Sequence, residues 1–199
     1  MYKRQIQERT SYGLGEILHA ALDNDAKHII ISLGGIGSFD GGAGMLQALG
    51  AKFYDDEANL VDVTKGAHVI KYIRRLDFSG IHPKLAEANI QVMSDFSSRL
   101  YGKQSEIMQM YPMLGMTQNE AAEIDNLVWY FSELFKSELR VTIGPIERGG
   151  AGGGIAAVLK GLYQAEILTS HELVDQITHL EDLVQQADLI IFGEGLNER

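Results

Sequence analysis

The chain has 199 residues, 45% of them hydrophobic and 22% charged, with a formal net charge of −10 and no cysteine. These figures fit a globular protein of one or two domains. They exclude disulfides and cysteine-ligated metals, and they disfavour nucleic-acid partners, which need a basic face. No apolar run is long enough to span a bilayer and no signal-peptide pattern is present, so a cytoplasmic location without a membrane partner is expected.

Met1-Tyr2-Lys3-Arg4-Gln5 resembles a translated library adapter, and the fold is read from residue 6 onward. Ser11 to Asp23 reads as a helix that starts near Gly13, with Leu14, Ile17, Leu18, Ala21 and Leu22 on one apolar face. His28 to Ser32 reads as a buried strand. From Gly34 to Gly44, six of eleven residues are glycine. The run leads into a helix, Gly42 to Leu49, closed by Gly50. A strand, a glycine-rich turn and a helix start together suit an anion: backbone N–H groups approach unhindered, and the helix end adds unpaired donors. Lys52-Phe53-Tyr54 and Leu60-Val61 predict a hairpin around Asp55 to Asn59. Thr64 is placed to cap a helix to Leu76, with Ala67, Ile70, Ile73 and Leu76 inward. Lys71, Arg74 and Arg75 form one compact basic cluster, read as a solvated helix face.

Ile90 to Met93 predicts a strand that ends at Ser94-Asp95. Thr117 to Glu120 is a capping box that opens a helix to about Leu139. Its inward face carries Ile124, Leu127, Val128, Phe131, Leu134 and Phe135, and Trp129 is expected to pack beneath it. Met108, Met110, Met113 and Met116 read as gap-filling residues or a loose loop. Arg140 to Ile143 suggests a short strand. A second glycine run, Gly149-Gly150-Ala151-Gly152-Gly153-Gly154, leads into a helix from Ile155 to Tyr163. Ser170 or His171 begins a helix to Gln186. Leu189 to Phe192 reads as a last strand, running into Gly193-Glu194-Gly195. Strands alternating with helices define an α/β class. The hairpin near Asp55 and the irregular stretch Phe96 to Met116 argue against a plain doubly wound sheet. The chain reads as cut at both ends.

Neither glycine run fits a standard nucleotide motif. Ala43 follows Gly41-Gly42 where a P-loop has lysine, and Asp40 stands where a dinucleotide loop has its third glycine. By spacing, each run is either a phosphate cradle or a tight strand-to-helix packing. Asp40 either works on a hydroxyl or a metal, or caps the helix entered at Gly41. Asp95 sits at a strand end, a functional position in open α/β sheets, or forms an Asx-turn. Glu194, between two glycines after a strand, reads as functional. The catalytic candidates are therefore Asp40, Asp95 and Glu194. The substrate or phosphate candidates are Gly34, Gly35, Ser38, Gly41, Gly42, Ser94, Gly150, Gly152, Gly153, Gly193 and Gly195. The six histidines show no metal spacing and read as surface or partly buried.

Four segments, in order, resemble the bacterial glycerate kinases built from two α/β domains. Thr10-Ser11-Tyr12-Gly13-Leu14-Gly15-Glu16 is similar to that family's TSYGxGE segment, and Gly34 to Leu46 to its GGSATNDGGAGML segment. Ala151-Gly152-Gly153 and Gly193-Glu194-Gly195 match its alanine-glycine and GEG segments. The resemblance implies transfer of the ATP γ-phosphoryl to a hydroxyl of glycerate, with Mg²⁺. It implies that Asp40 and Asp95 line the glycerate and metal side, Asp95 being the metal candidate, and that Glu194 lies where two domains meet. Residues 6–187 would then form an inserted α/β domain of mixed sheet, and 188–199 the start of a return segment into a Rossmann-like domain. Where the family has serine and asparagine in the first loop, this chain has Ile36 and Phe39. Where it has asparagine after Ser94-Asp95, Ser98 stands; where it has a lysine, Leu114 stands. The implied function is a glycerate kinase fragment, inactive alone. The alternatives are a non-catalytic paralogue that binds a small hydroxy acid or nucleotide, and a kinase for a related acid with Phe39 reshaping the pocket.

Overall fold

The computed structural model describes residues 6–34 and 37–191. In chain order the elements are α1 (Tyr12–Asp23), β1 (His28–Ser32), α2 (Ala43–Ala48), β2 (Lys52–Tyr54), β3 (Arg75–Asp77), β4 (Asn89–Met93) and α3 (Glu106–Met110). Then follow α4 (Gln118–Leu134), α5 (Ile155–Tyr163), β5 (Glu166–Leu168), α6 (Ser170–Thr178) and α7 (Leu180–Gln186). Strands β1, β4 and β5 form a parallel sheet in the order β1-β4-β5, with Ile31 beside Val92 and Val92 beside Ile167. Strands β2 and β3 pair antiparallel, Phe53 against Leu76. The chain is α/β with a mixed strand content, as its alternation of elements predicts. No helix among the described residues is long and apolar enough to cross a membrane.

The core lies between the parallel sheet and helices α1, α2, α4 and α5. Helix α1 packs on α2 at Gly15, where a Cβ would stand 2.9 Å from Met45 Cα. Helix α4 starts with the predicted box: the Glu120 N–H donates to Thr117 Oγ1 and the Thr117 N–H to Glu120 Oε2. Its inward side buries Ile124, Val128, Phe131 and Leu134, and Phe135 of the wider turn Phe135–Leu139 continues that face. Phe53, Phe131 and Phe135 meet edge-to-face, with centroids 5.7 and 4.9 Å apart. That geometry sets ring edges against ring faces, the favoured electrostatic arrangement.

Several elements depart from the sequence reading. Strand β1 is buried on one face only: Ile29 and Ile31 point into the core, while Ile30 is 52% exposed. The stretch predicted as a helix from Thr64 to Leu76 is two 3-10 turns, Val63–Lys65 and Ala67–Tyr72, and then β3. Gly66, at φ 100°, breaks it, and Asp62 rather than Thr64 supplies the cap by accepting the Thr64 N–H. The four expected inward residues are buried all the same. Leu60 does bridge Tyr54, but the main partner of β2 is β3. Arg140 to Ile143 is irregular, because Arg140 turns left-handed (φ 58°) after the wide turn. The last long helix begins at Ser170 as read, capped by Thr169, but is broken at His179 (φ 51°) into α6 and α7. Trp129 is half exposed on the outer side of α4, since the inward side is filled by its neighbours. Residues 189–191 form no strand and are exposed. Residues 1–5 and Phe192 lie outside the described residues.

Candidate functional site

Parallel strands end on the same side, and this places the first group of candidates together. Gly34 follows β1, Ser94 and Asp95 follow β4, and Ser170 follows β5, all at the C-terminal edge of the sheet. The edge is tied by the Leu33 N–H donating to the Met93 carbonyl (3.0 Å) and the Ser94 N–H donating to the Leu168 carbonyl (2.8 Å). Such an edge is where open α/β sheets bind ligands. Gly35, Gly193, Glu194 and Gly195 lie outside the described residues.

The two glycine runs, distant in sequence, meet at this edge. The Gly41 N–H donates to the Gly153 carbonyl (2.9 Å). Gly153 is left-handed (φ 64°), and a Cβ there would overlap the Ser38 carbonyl oxygen and stand 2.6 Å from Phe39 Cα. At Gly154 a Cβ would lie 2.8 Å from Gly41 Cα. Glycine is thus required because main chain packs on main chain, with no room for a side chain.

The amides of these runs already have anionic partners, and both belong to the protein. Asp40 is fully buried. Its carboxylate accepts from the N–H groups of Ser11 (2.7 Å), Gly42 (3.1 Å) and Gly44 (3.1 Å), and from the hydroxyls of Ser11 (2.9 Å) and Thr10 (3.3 Å). The Ser11 hydroxyl in turn accepts the Met45 N–H (2.9 Å). The starts of α1 and α2, each with orphan donors, are therefore closed on one carboxylate. The second run holds Glu106, whose Oε2 accepts the Gly153 N–H at 2.9 Å. Burial lifts the Glu106 carboxyl above its usual range, and the Gly153 and Gly152 amides partly oppose this. Gly150 donates to the Ser98 carbonyl (3.1 Å). In this arrangement Gly41, Gly150 and Gly153 sit at close-packed positions, the packing alternative that their spacing allows, while the Gly42 N–H donates to Asp40, which acts as the helix cap.

The polar groups beside this junction differ in exposure. Asp95 is exposed, and both its hydrogen bonds, from the Ser170 N–H (2.7 Å) and hydroxyl (2.9 Å), use Oδ1. Among the described residues no donor reaches Oδ2. Among them too, Ser38 Oγ and Ser98 Oγ are buried without a partner. A buried hydroxyl without a partner costs about 1–3 kcal/mol. Gly34 is exposed, and only Ser32 Oγ lies near its Cβ position, at 4.0 Å. Ser94 is buried, and its Oγ accepts the Phe96 N–H (3.3 Å). Phe39 is buried in a small apolar cluster with Ile6, Ile107, Met116 and Ile124, against which Leu114 packs. Sequence reasoning missed Glu106, because nothing in the irregular stretch that holds it marks a carboxylate as buried. Ser98 was visible only as a departure from the family pattern.

The fold and this edge define an α/β protein with two fused glycine loops beside the C-terminal ends of a parallel sheet. The profile of the glycerate kinase family matches residues 1–198, and the chain belongs to that family. It is 34% identical over 193 residues to the glycerate 2-kinase of Escherichia coli K12 and 33% to the glycerate kinase of Halalkalibacterium halodurans, covering 97% of this chain in each case. A crystal structure from Salmonella typhimurium LT2 assigned as glycerate kinase 2 superposes with a TM-score of 0.82 at 33% identity, over 92% of this chain and 48% of that one. The chain spans about half the length of the curated relatives it matches, 50% of each of the two named.

Proposed function

We propose that this chain is the half of an ATP-dependent glycerate kinase that presents one wall of the phosphoryl-transfer cleft. The observation that supports this reading is that Gly34 and Asp95 follow neighbouring parallel strands at one sheet edge, while Ser38 and Ser98 pack against Gly153 and Gly150 of the second glycine loop, and Asp40 and Glu106 hold the two glycine loops rigid. Phosphoryl transfer asks for positioning and charge stabilisation more than for covalent chemistry by the protein. Rigid backbone pinned by buried carboxylates meets the first demand. The Ser38 and Ser98 hydroxyls are suited to hold the hydroxy acid, and the Gly34 segment is suited to its carboxylate or to a phosphate.

Mg²⁺ fits the free oxygen of Asp95, since this ion is usually held by one or two carboxylates together with phosphate oxygens. When bound it would neutralise charge that develops on the transferred group. Asp95 is then an orienting ligand, with Ser170 locking its Oδ1. Glu194, Gly193 and Gly195 are assigned to the junction with a second, Rossmann-like domain, and residues 6–187 to the inserted one. Asp40 is a positioning residue here, because it is fully buried and its carboxylate holds the starts of two helices.

A second reading, a paralogue that binds a hydroxy acid without turnover, is favoured by Phe39 and Leu114, which fill an apolar cluster where the family has polar residues. Calorimetry with glycerate, paired with an ADP-release assay on the reading frame carried to the full length of its relatives, separates the two. Heat of binding with ADP release supports the kinase. Binding without release supports the paralogue, and neither signal from a folded protein overturns both.

A further inference from the structure

Away from the sheet edge, the fold brings together two histidines and an aspartate that show no metal spacing in the sequence. His19 and Asp23 are four residues apart on α1 and so share one face. His82 arrives from the turn before Pro83–Ala86, 59 residues beyond Asp23. His19 Nδ1 lies 3.2 Å from Asp23 Oδ2, and His82 Nε2 lies 3.2 Å from Asp23 Oδ1. The two imidazoles meet edge to face, with centroids 4.9 Å apart. One ligand atom from each of the three side chains lies within 4.8 Å of the others. We propose that His19, Asp23 and His82 form a binding site for a borderline divalent cation such as Zn²⁺, which clips α1 to the turn at His82.

A tetrahedral zinc with bonds of about 2.0–2.1 Å spaces its ligand atoms roughly 3.4 Å apart. Each histidine nitrogen already stands 3.2 Å from an Asp23 oxygen, His19 from Oδ2 and His82 from Oδ1, so binding through one oxygen needs a turn of the carboxylate and closure of the gap between the rings. Two neutral imidazoles and one carboxylate, with no thiol, select zinc, cobalt or nickel over the harder magnesium and calcium. The fourth position is left to water. His82 is the anchor: only 9% of its side chain is exposed, so its ring has little freedom to lose on binding. Its Nδ1 is buried without a partner and carries the ring proton once Nε2 is a ligand. Lys84, a cation that feels the Asp23 charge, is drawn off by Asp25 at 2.7 Å and the Leu22 carbonyl at 3.2 Å.

The test uses the purified chain stripped of metal, titrated with zinc sulfate by calorimetry and with cobalt(II) by absorption. One ion per chain is expected, with a tetrahedral cobalt spectrum and a higher melting temperature when zinc is present. His19→Gln, at a half-buried position on the surface of α1, lowers the affinity at least tenfold and removes the thermal shift. His82→Gln does the same, and His171→Gln, an exposed control, does neither. Absence of one-to-one binding overturns the proposal. So does binding that survives His19→Gln, which would mark uptake by other surface histidines and leave the trio a hydrogen-bonded staple.

Discussion

Gly153→Ala tests whether the two glycine loops are fused by main-chain packing. The new methyl group meets the Ser38 carbonyl and Phe39 Cα, at a residue held left-handed at φ 64°. Left-handed backbone costs an L-residue about 1–2 kcal/mol. Overpacking into rigid surroundings adds about 1–3 kcal/mol. Separation of the loops also loses the bond from the Gly41 N–H to the Gly153 carbonyl, worth about 1 kcal/mol. The sum is about 3–6 kcal/mol. With a urea slope of about 2 kcal/mol per molar, the unfolding midpoint falls by roughly 1.5–3 M. Gly115→Ala is the matched control: its φ is nearly the same, 69°, but nothing lies within 4 Å of the new Cβ. It should cost the backbone strain alone, about 1–2 kcal/mol. Equal midpoints for the two variants in urea denaturation would refute the packing argument.

Other outcomes follow from the two buried carboxylates. Asp40→Asn turns one acceptor oxygen into a donor that faces other donors. It should cost about 3 kcal/mol, a melting-temperature loss of roughly 6–12 °C by calorimetry. Glu106 has its folded pKa raised by burial above its unfolded value, so between the two the folded state holds the extra proton. Its contribution is full below the unfolded value and is lost as pH rises through the folded one. Urea midpoints from pH 4 to 8 should fall more steeply for the natural protein than for Glu106→Gln, whose side chain keeps an acceptor for the Gly153 amide. Identical slopes would show that Glu106 does not titrate in that window.

Much of the fold was legible because its signals are local. The capping box at Thr117 and Glu120, the strand from Ile90 and the helix from Ile155 each rest on neighbouring residues. The 3-10 path from Val63 to Tyr72 was not legible, because burial of Ala67, Ile70, Ile73 and Leu76 suits a helix equally well until Gly66 and the pairing of β3 with β2 decide otherwise. At the site, the glycine runs were visible but their occupants were not. A carboxylate twelve residues beyond Ser94, at Glu106, becomes the partner of Gly153 only through tertiary packing. The His19, Asp23 and His82 trio was hidden for the same reason.

The most direct measurement of the proposed role is glycerate-dependent ADP release by the full-length reading frame that contains this chain, alongside its Asp95→Asn variant. Asparagine keeps an oxygen for Ser170 but removes the charge, so the variant should fold as before. ADP release that requires glycerate and Mg²⁺, and that falls by roughly 10²-fold or more in the variant, is the expected result. A folded full-length protein that releases no ADP with glycerate, or one whose rate is unchanged by Asp95→Asn, would contradict the account.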